Sequence, residues 1–381
     1  MDLRLSEEQE MLKTAAKDYF AEKCPARLVR EMAADEKGYV PQIWQEIADM
    51  GWLGLIFPEQ YGGAGMTFSD LSVLLEEMGK VLFPGPFIPT VILGGLSILQ
   101  IGNEIQKNRY LPEIAGGKAI LTMALIEPEA NRYEAASVKM MAVASGADYV
   151  LNGTKMFVPD AHVADYIICL ARTRESATAE EGVTIFVVDA RAPGIHITKL
   201  KTIAGDKQCK VDFSNVKVSG DNILGQVNRG WPEFKKILDQ AAIAKCCEML
   251  GGMKAVMAMT LEYVNTRVQF DAHIGSFQAI QWHCVDIALN IESSSIVTGE
   301  AVWKWDKGIP YAESAAMAKA WVGEAYEKTM FSATQAHGGV SIIEDHNLPL
   351  YFKRARAADL FCGDSKFHLN TIARNLGLKV S

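Results

Sequence analysis

The sequence lacks the cysteine patterns that would indicate a zinc site or a disulfide framework. Seven cysteines are scattered over 381 residues, and no two of them have CxxC spacing. The opening residues, MDLRLSEEQEMLK, have neither the cationic start nor the apolar run of a signal peptide. Together with the odd cysteine count, this predicts a protein without a metal site in a reducing, cytoplasmic compartment.

Other absences exclude further classes of function. A net charge of −8 without a basic patch argues against a nucleic-acid partner. No window offers about 18 uninterrupted apolar residues, so no transmembrane helix is predicted. There is no GxGxxG after a strand and no GxxxxGK[ST]. Without a parallel βαβ pattern, the sequence also excludes a doubly wound nucleotide fold.

What is present predicts an α+β protein of three consecutive domains. The chain is 49% hydrophobic and 22% charged, as expected for a globular protein with an ample core. Residues 1–118 form the predicted N-terminal helical domain, which Ser6 and Gln9 open as a capping box. Helices are expected near 41–50, 68–82 and 90–115, and the Gly-rich run at 61–65 is a predicted loop.

The other two domains differ in their hydrophobic period. Residues 119–229 contain short runs rich in β-branched and aromatic residues, which predict an antiparallel β domain. Within it, Asn152-Gly153 is typical of a type I′ hairpin turn. The helical period returns in residues 230–381, a predicted four-helix-type bundle, with helices expected near 232–267, 275–306, 311–337 and 347–375.

This order of domains and motifs resembles the acyl-CoA dehydrogenase family. The similarity runs through the chain in seven motifs: GWLGLIFPEQYGG (51–63), IEP (126–128), LNGTKMFV (151–158), FSNVKVSGDNILG (213–225), GW followed by LD (230–239), TRVQFDAHIGSFQAIQ (266–281) and QAHGG (335–339). EMGKVLFPGPFIPT, FVPDAHVAD and NLPLYFKRARA are similar to a branch for cyclic, branched or sterol side-chain acyl-CoA esters.

The resemblance implies bound FAD, held between the β domain and the C-terminal helices. It also implies a homotetramer or a heterotetramer with a related chain, and electron-transfer flavoprotein as the acceptor. Arg267 would face the pyrophosphate, for which its planar guanidinium is suited. The other implied contacts are Phe270 and Gln278 at the adenosine half, Gln335, Gly338 and Gly339 at the pyrophosphate, and Ile126, Phe157 and Pro159 near the flavin ring.

The implied reaction removes a proton from the α-carbon and a hydride from the β-carbon of an acyl-CoA. In the family a backbone N–H helps to polarise the thioester carbonyl, and in many members it belongs to the catalytic glutamate of a Tyr-Glu-Gly-Thr run. Here Cys362 stands at the position of that glutamate. We expect its backbone N–H to act, because an unperturbed thiol is mostly protonated at neutral pH.

The catalytic base is open at this point, because both family positions lack a carboxylate. The second family position corresponds to Ala241, and the arginine that follows it to Ala242. Asp364, two residues after Cys362, is the first candidate. Glu248, two turns beyond Ala241 along the helix, and Asp271 are the alternatives.

Further departures cluster around the same chemistry. Ile126 replaces the threonine of Thr-Glu-Pro, and the Ala-Gly-Ser-Asp run that follows it in the family is replaced by residues 130–133. Pro159 supplies neither hydroxyl nor N–H near the flavin. Ser341 replaces a glycine. Three alternatives to dehydrogenation therefore stand: a base-lacking subunit of a heteromeric enzyme, another acyl-CoA reaction (elimination, reduction or hydration), and a flavin-free binding protein.

Overall fold

The computed structural model describes residues 4–129 and 133–380. Its α-helices are α1 Glu7–Lys23, α2 Ala26–Ala34, α3 Pro41–Asp49, α4 Phe68–Lys80, α5 Ser97–Ile101, α6 Glu104–Ala115, α7 Gly230–Thr266, α8 Gln278–Asp306, α9 Ala312–His337, α10 Leu348–Leu360 and α11 Ser365–Asn375. Its strands are β1 Leu121–Ala124, β2 Met141–Ser145, β3 Asp148–Pro159, β4 Tyr166–Arg172, β5 Val183–Asp189, β6 Ile195–Leu200, β7 Gln208–Ser219, β8 Ile223–Leu224, β9 Val268–Gln269 and β10 Ala272–His273.

A local signal begins the first of these helices as predicted. Ser6 and Gln9 form the capping box of α1: the Gln9 N–H donates to the Ser6 hydroxyl and the Ser6 N–H to the Gln9 side chain. The helix predicted near 90–115 is interrupted. Ile88–Leu96 is π-helical, and the chain turns at Gly102, between α5 and α6. In the described part of the chain, no helix is long and apolar enough to cross a membrane.

The chain divides into two units, which are described separately. The sheet unit comprises residues 32–66, 84–129 and 133–241. Its eight-stranded sheet has the order β6-β7-β3-β2-β4-β5-β8, and β1 also pairs with β4. The pairing is mostly antiparallel, but β1 runs parallel to β4 and β2 meets β4 in a parallel bridge. The sheet is therefore mixed rather than purely antiparallel.

The hairpin predicted at Asn152-Gly153 is wrong. The chain turns earlier, between β2 and β3, where Gly146 adopts a φ of 65° that favours glycine. β3 continues through Asn152-Gly153, and the register with β7 shifts there. The Asn152 side chain accepts the Asn215 N–H at 2.7 Å instead of supporting a turn.

The helical unit comprises residues 4–31, 67–83 and 242–380. Its helices α4 and α7 come into backbone contact at two glycines: an added Cβ would lie 1.9 Å from the Glu248 carbonyl oxygen at Gly79, and 1.9 Å from the Glu76 carbonyl oxygen at Gly251. Helix α9 packs against α8, α10 and α11. Glycine thus fixes α7 closely against α4, and α9 is shared by three neighbours.

The single helix predicted over 347–375 is two helices. α10 ends at Leu360 and α11 begins at Ser365, because Cys362 and Gly363 have φ values of 56° and 99°. An α-helix cannot pass through left-handed residues. The break falls on FCGDS, the segment that the family resemblance associates with the thioester carbonyl.

Candidate active site

The sheet unit brings three predicted flavin-contacting residues together at an irregular part of β3. Phe157 has a φ of 52°, rare for a bulky residue, and its side chain is exposed. The adjacent Met156 N–H donates to the Ile126 carbonyl at 2.8 Å. Pro159 ends β3, and its carbonyl accepts a hydrogen bond from the Thr122 hydroxyl. Strained backbone of this kind is typical of functional sites.

A buried ion pair, which the sequence analysis did not predict, lies beside these residues. Lys155 is fully buried, and its ammonium lies 2.7 Å from the Glu127 carboxylate and 3.2 Å from the Leu125 carbonyl. The carboxylate also accepts the Lys139 and Met140 N–H groups at 3.0–3.1 Å. The pair ties β3 to the segment after β1. Both residues belong to motifs of the resemblance, but no spacing rule joins positions 127 and 155.

In the helical unit, one predicted adenosine contact, Phe270, lies on a hairpin after α7. Phe270 and Asp271 form the turn between β9 and β10, with φ values of 54° and 61°, as in a type I′ turn. The Phe270 ring is 91% exposed and meets Phe277 edge-on at 6.2 Å. Arg267 precedes the hairpin; its N–H donates to Tyr263 at 2.8 Å and its side chain is exposed.

The predicted pyrophosphate contacts lie at the end of α9. Gln335, Gly338 and Gly339 are all exposed. Gly338 has a φ of 62°, and a Cβ added at either glycine would meet no atom within 4 Å. The His337 ring stacks on Tyr263 with centroids 4.4 Å apart.

The stack of His337 on Tyr263 brings the residues at the end of α9 next to those that follow α7. We call the region made by Arg267, Phe270, Gln278, Gln335 and the glycine pair the α7–α9 corner. Gln278 is the first residue of α8 and is exposed. The corner offers a guanidinium, an aromatic face, two amides and open glycine backbone, which suit the phosphates and adenosine of a dinucleotide.

His337 adds a buried polar group to this corner. Its ring is buried, and neither nitrogen has a hydrogen-bond partner among the described residues. Burial, with a smaller contribution from His346, lowers the pKa of His337 to about 4. His337 is therefore neutral at physiological pH.

The FCGDS turn holds the predicted catalytic residues. Cys362 is buried. Its backbone carbonyl accepts a hydrogen bond from His368 Nε2 at 3.0 Å. Asp364 caps α11: its carboxylate accepts the Phe367 N–H at 2.7 Å. Asp364 thus has a structural role in addition to any catalytic one.

The alternative carboxylates lie in different surroundings. The Glu248 carboxylate pairs with Lys245 at 2.8 Å, and the Lys245 ammonium lies 4.9 Å from the centre of the Phe361 ring. Glu248 is thereby linked to the FCGDS turn. Asp271 lies in the β9–β10 turn, within the α7–α9 corner. Ala241 is fully buried. Residues 130–132, the rest of the altered Ala-Gly-Ser-Asp run, lie outside the described residues.

A second buried lysine contacts the FCGDS turn directly. Lys319, on α9, is fully buried and donates to the carbonyls of Asp359 and Gly363 at 2.6 and 2.9 Å. Burial lowers the pKa of Lys319, and the Asp359 carboxylate opposes this effect. Helical spacing in α9 predicts only an inward-facing position for Lys319, so its partners were not predictable from the sequence.

Sequence models of three consecutive domains match the chain. They describe the N-terminal domain of acyl-CoA dehydrogenase over residues 6–118, the middle domain over 122–216 and the C-terminal domain over 228–377. A 3-(aryl)acrylate reductase from Clostridium sporogenes is 30% identical over 378 residues, which cover 97% of this chain and 99% of that protein.

Solved structures are similar over the same length. Butyryl-CoA dehydrogenase from Megasphaera elsdenii has a TM-score of 0.90 at 26% identity, with 99% of this chain and 100% of that chain covered. A chain of the ChsE4–ChsE5 complex from Mycobacterium tuberculosis has a TM-score of 0.89 at 25% identity, with 100% of both chains covered.

Proposed function

Because the chain belongs to the acyl-CoA dehydrogenase family, we propose that it catalyses FAD-dependent dehydrogenation of an acyl-CoA thioester. Membership of the family makes it an oxidoreductase that acts on CH–CH groups. The observation that carries the proposal is the α7–α9 corner, where Arg267 and Phe270 are exposed beside a glycine pair with open backbone. An isolated exposed arginine would be ordinary, whereas this combination suits a dinucleotide.

Each unit, taken by itself, contains residues that suit part of FAD. Arg267 would bind the pyrophosphate with two parallel hydrogen bonds, and Gly338-Gly339 would let the backbone approach it. Phe270 and Gln278 would contact the adenosine half. Phe157, exposed at its bulge, would lie with Ile126 and Pro159 near the flavin ring. When bound, FAD would accept the hydride that leaves the β-carbon.

The FCGDS turn would prepare the substrate for loss of its α-proton. The Cys362 N–H would donate to the thioester carbonyl and stabilise the negative charge that develops on its oxygen. We assign no base role to the Cys362 thiol, since the backbone N–H can act whatever the state of the side chain.

Asp364 is the proposed base that takes the α-proton. Its cap to Phe367 uses one carboxylate oxygen, at 2.7 Å, and a carboxylate has further lone pairs for a proton. Glu248 is the alternative, since Lys245 links it to Phe361 in the same turn.

The proposed substrate is a cyclic or branched acyl-CoA, and the proposed electron acceptor is an electron-transfer flavoprotein. We further propose a tetramer. Helix α8 supports this with one apolar face, each member of which is more than half exposed in the single chain: Trp282, Val285, Leu289 and Ile296. A contiguous exposed apolar face of this kind is typical of a protein interface. All seven cysteines are unpaired, which supports a cytoplasmic location.

A second candidate is the base-lacking subunit of a heterotetramer. It is favoured by one observation: both family base positions are apolar or thiol, and the nearest carboxylate already caps a helix. The similarity to a chain of the ChsE4–ChsE5 complex, whose two components are named differently, supports it further.

Anaerobic titration of the purified protein with a panel of acyl-CoA esters tests the proposal. We expect about one FAD per chain, and bleaching of the flavin band by a cyclic or branched ester. Reoxidation of chemically reduced protein by a 2-enoyl-CoA, without bleaching by any saturated ester, would assign reduction instead, the reaction that the name of the Clostridium sporogenes relative gives. Protein that neither carries nor takes up FAD would overturn the proposal.

A further inference from the structure

The FCGDS turn is held by a buried cation from another helix. The Lys319 side chain has no exposed surface. Its ammonium donates to the carbonyls of Asp359 at 2.6 Å and Gly363 at 2.9 Å, and lies 3.7 Å from the Asp359 carboxylate. Every one of these partners is an acceptor. Lys319 therefore serves as a hydrogen-bond donor to the turn.

These bonds hold three carbonyls in the segment around Cys362. The Asp359 carbonyl lies before it and the Gly363 carbonyl after it, and His368 Nε2 holds the carbonyl of Cys362 itself at 3.0 Å. In a planar trans peptide the C=O and N–H point in opposite directions. Anchoring these carbonyls therefore fixes the N–H groups of Leu360, Gly363 and Asp364. The peptide that carries the Cys362 N–H lies between these groups and is restrained from both sides.

The backbone of the turn requires such anchoring. Cys362 has a φ of 56°, and a non-glycine residue keeps a left-handed conformation only when its surroundings enforce it. Helix α9 also makes room for the turn at Gly323, where an added Cβ would lie 2.0 Å from the Asp359 carboxylate and 2.3 Å from the Ser365 hydroxyl. Lys319 and Gly323 lie one turn apart on the same helix, so α9 forms the support of the turn.

We propose that Lys319 is a positioning residue: its buried ammonium holds the Asp359–Ser365 turn in the conformation that directs the Cys362 N–H at the thioester carbonyl. This rests on the proposed function, in which that N–H polarises the acyl-CoA. Lys319 would thus affect the polarisation of the bound ester without touching the ester itself.

The test compares Lys319→Met and Lys319→Gln with the wild type. Lys328→Met is the matched control, since Lys328 lies on the same helix in an exposed pair with Glu324 at 3.1 Å. The direct readout is the absorption band of bound cinnamoyl-CoA or 2,4-hexadienoyl-CoA, which moves to longer wavelength when the carbonyl is polarised. The second readout is the rate of flavin bleaching by the best ester of the panel, measured beside the Kd of that ester.

We expect Lys319→Met to keep its FAD and its oligomeric mass, to lose most of the wavelength shift, and to bleach about 10²-fold more slowly with little change in Kd. Lys319→Gln should be intermediate, and Lys328→Met should match the wild type. A full shift and full rate in either Lys319 variant would overturn the proposal. So would failure of both variants to fold, because Lys319 would then serve the fold as a whole. A wild type that shows neither shift nor bleaching overturns the proposed function, and this inference with it.

Discussion

The α7–α9 corner and the FCGDS turn belong to the same helical unit but depend on different physical conditions. In the corner, the predicted residues are exposed, as with Arg267 and the Phe270 ring, and would reach a ligand directly. In the turn, Cys362 is buried, and its backbone is set by Lys319 and His368 from two other helices. Recognition by the corner would depend on the exposed side chains themselves. The conformation of the buried turn depends on the residues that hold its backbone.

The difference explains why one region follows the family pattern while the other departs from it. A corner that binds an unchanged cofactor needs the same guanidinium and the same glycines. A turn that presents a backbone N–H tolerates a change of side chain, such as cysteine for glutamate, as long as the main chain keeps its conformation. For the Cys362 N–H, the supports of the turn are therefore expected to matter more than the Cys362 side chain does.

The largest expected effect is at Asp364. Asp364→Asn should slow flavin bleaching by roughly 10²–10⁴-fold, because it removes the proposed base. Asparagine caps helices about as well as aspartate, so α11 and the thermal stability should be nearly unchanged. Asp364→Ala, which removes the cap as well, should be slow and also less stable by about 1 kcal/mol. Stopped-flow absorbance and thermal melting measure the two effects.

An Asp364→Asn protein with the wild-type rate would transfer the base role to Glu248. Glu248→Gln should then show the loss instead. If neither variant is slow, the base comes from a partner subunit or the reaction differs.

Breaking the buried pair behind Phe157 should cost the most stability. Lys155→Met leaves the Glu127 carboxylate buried without its cation, which should lower the free energy of unfolding by about 3–5 kcal/mol. Lys107→Met, which breaks an exposed pair with Glu104, should change it by no more than about 1 kcal/mol. Urea unfolding followed by circular dichroism measures both. Equal effects of the two variants would contradict the importance of burial.

Arg267→Ala should affect the cofactor rather than the fold. Loss of a charge-assisted hydrogen bond costs about 1.5–3 kcal/mol, so FAD should bind roughly 10- to 100-fold more weakly. Arg27→Ala is a suitable control, since Arg27 lies on the same unit in an exposed pair with Glu31. Flavin released during gel filtration, followed by a titration of the apoprotein, gives the two affinities. Unchanged FAD retention in Arg267→Ala would remove the guanidinium from the proposed site.

The smallest effect is a change in pH dependence at His337. Burial depresses the pKa of folded His337 to about 4, below the value of about 6.5 for an unfolded histidine. Between these values the unfolded chain binds the extra proton, so this residue's contribution to stability is complete above about pH 6.5 and is lost as the pH falls towards 4. His337→Phe, which can still stack on Tyr263, should show a shallower fall of melting temperature over that window. An unchanged slope would assign the acid sensitivity to other groups.

Much of the fold was predictable because its signals are local. The capping box at Ser6 and the three-block order follow directly from hydrophobic period and caps. The prediction of a hairpin turn at Asn152-Gly153 was wrong because the chain turns at Gly146 instead. Gly153 lies at a register shift within β3. The break at Cys362 was missed although Gly363 and the N-cap Asp364 mark it locally; its support by a lysine 43 residues earlier has no local signal. Contacts between distant segments, such as Glu127 with Lys155, carry no signal in a single sequence.

Exchange of the substrate α-proton tests the central claim most directly, because it reports polarisation and proton removal without an electron acceptor. The FAD-loaded protein is incubated with its best acyl-CoA ester in D2O, and deuterium at the α-carbon is followed by NMR. We predict exchange in the wild type, nearly unchanged exchange in Cys362→Ala, which keeps the backbone N–H, and loss of exchange in Asp364→Asn. No exchange in the wild type, or as large a loss in Cys362→Ala as in Asp364→Asn, would contradict the account.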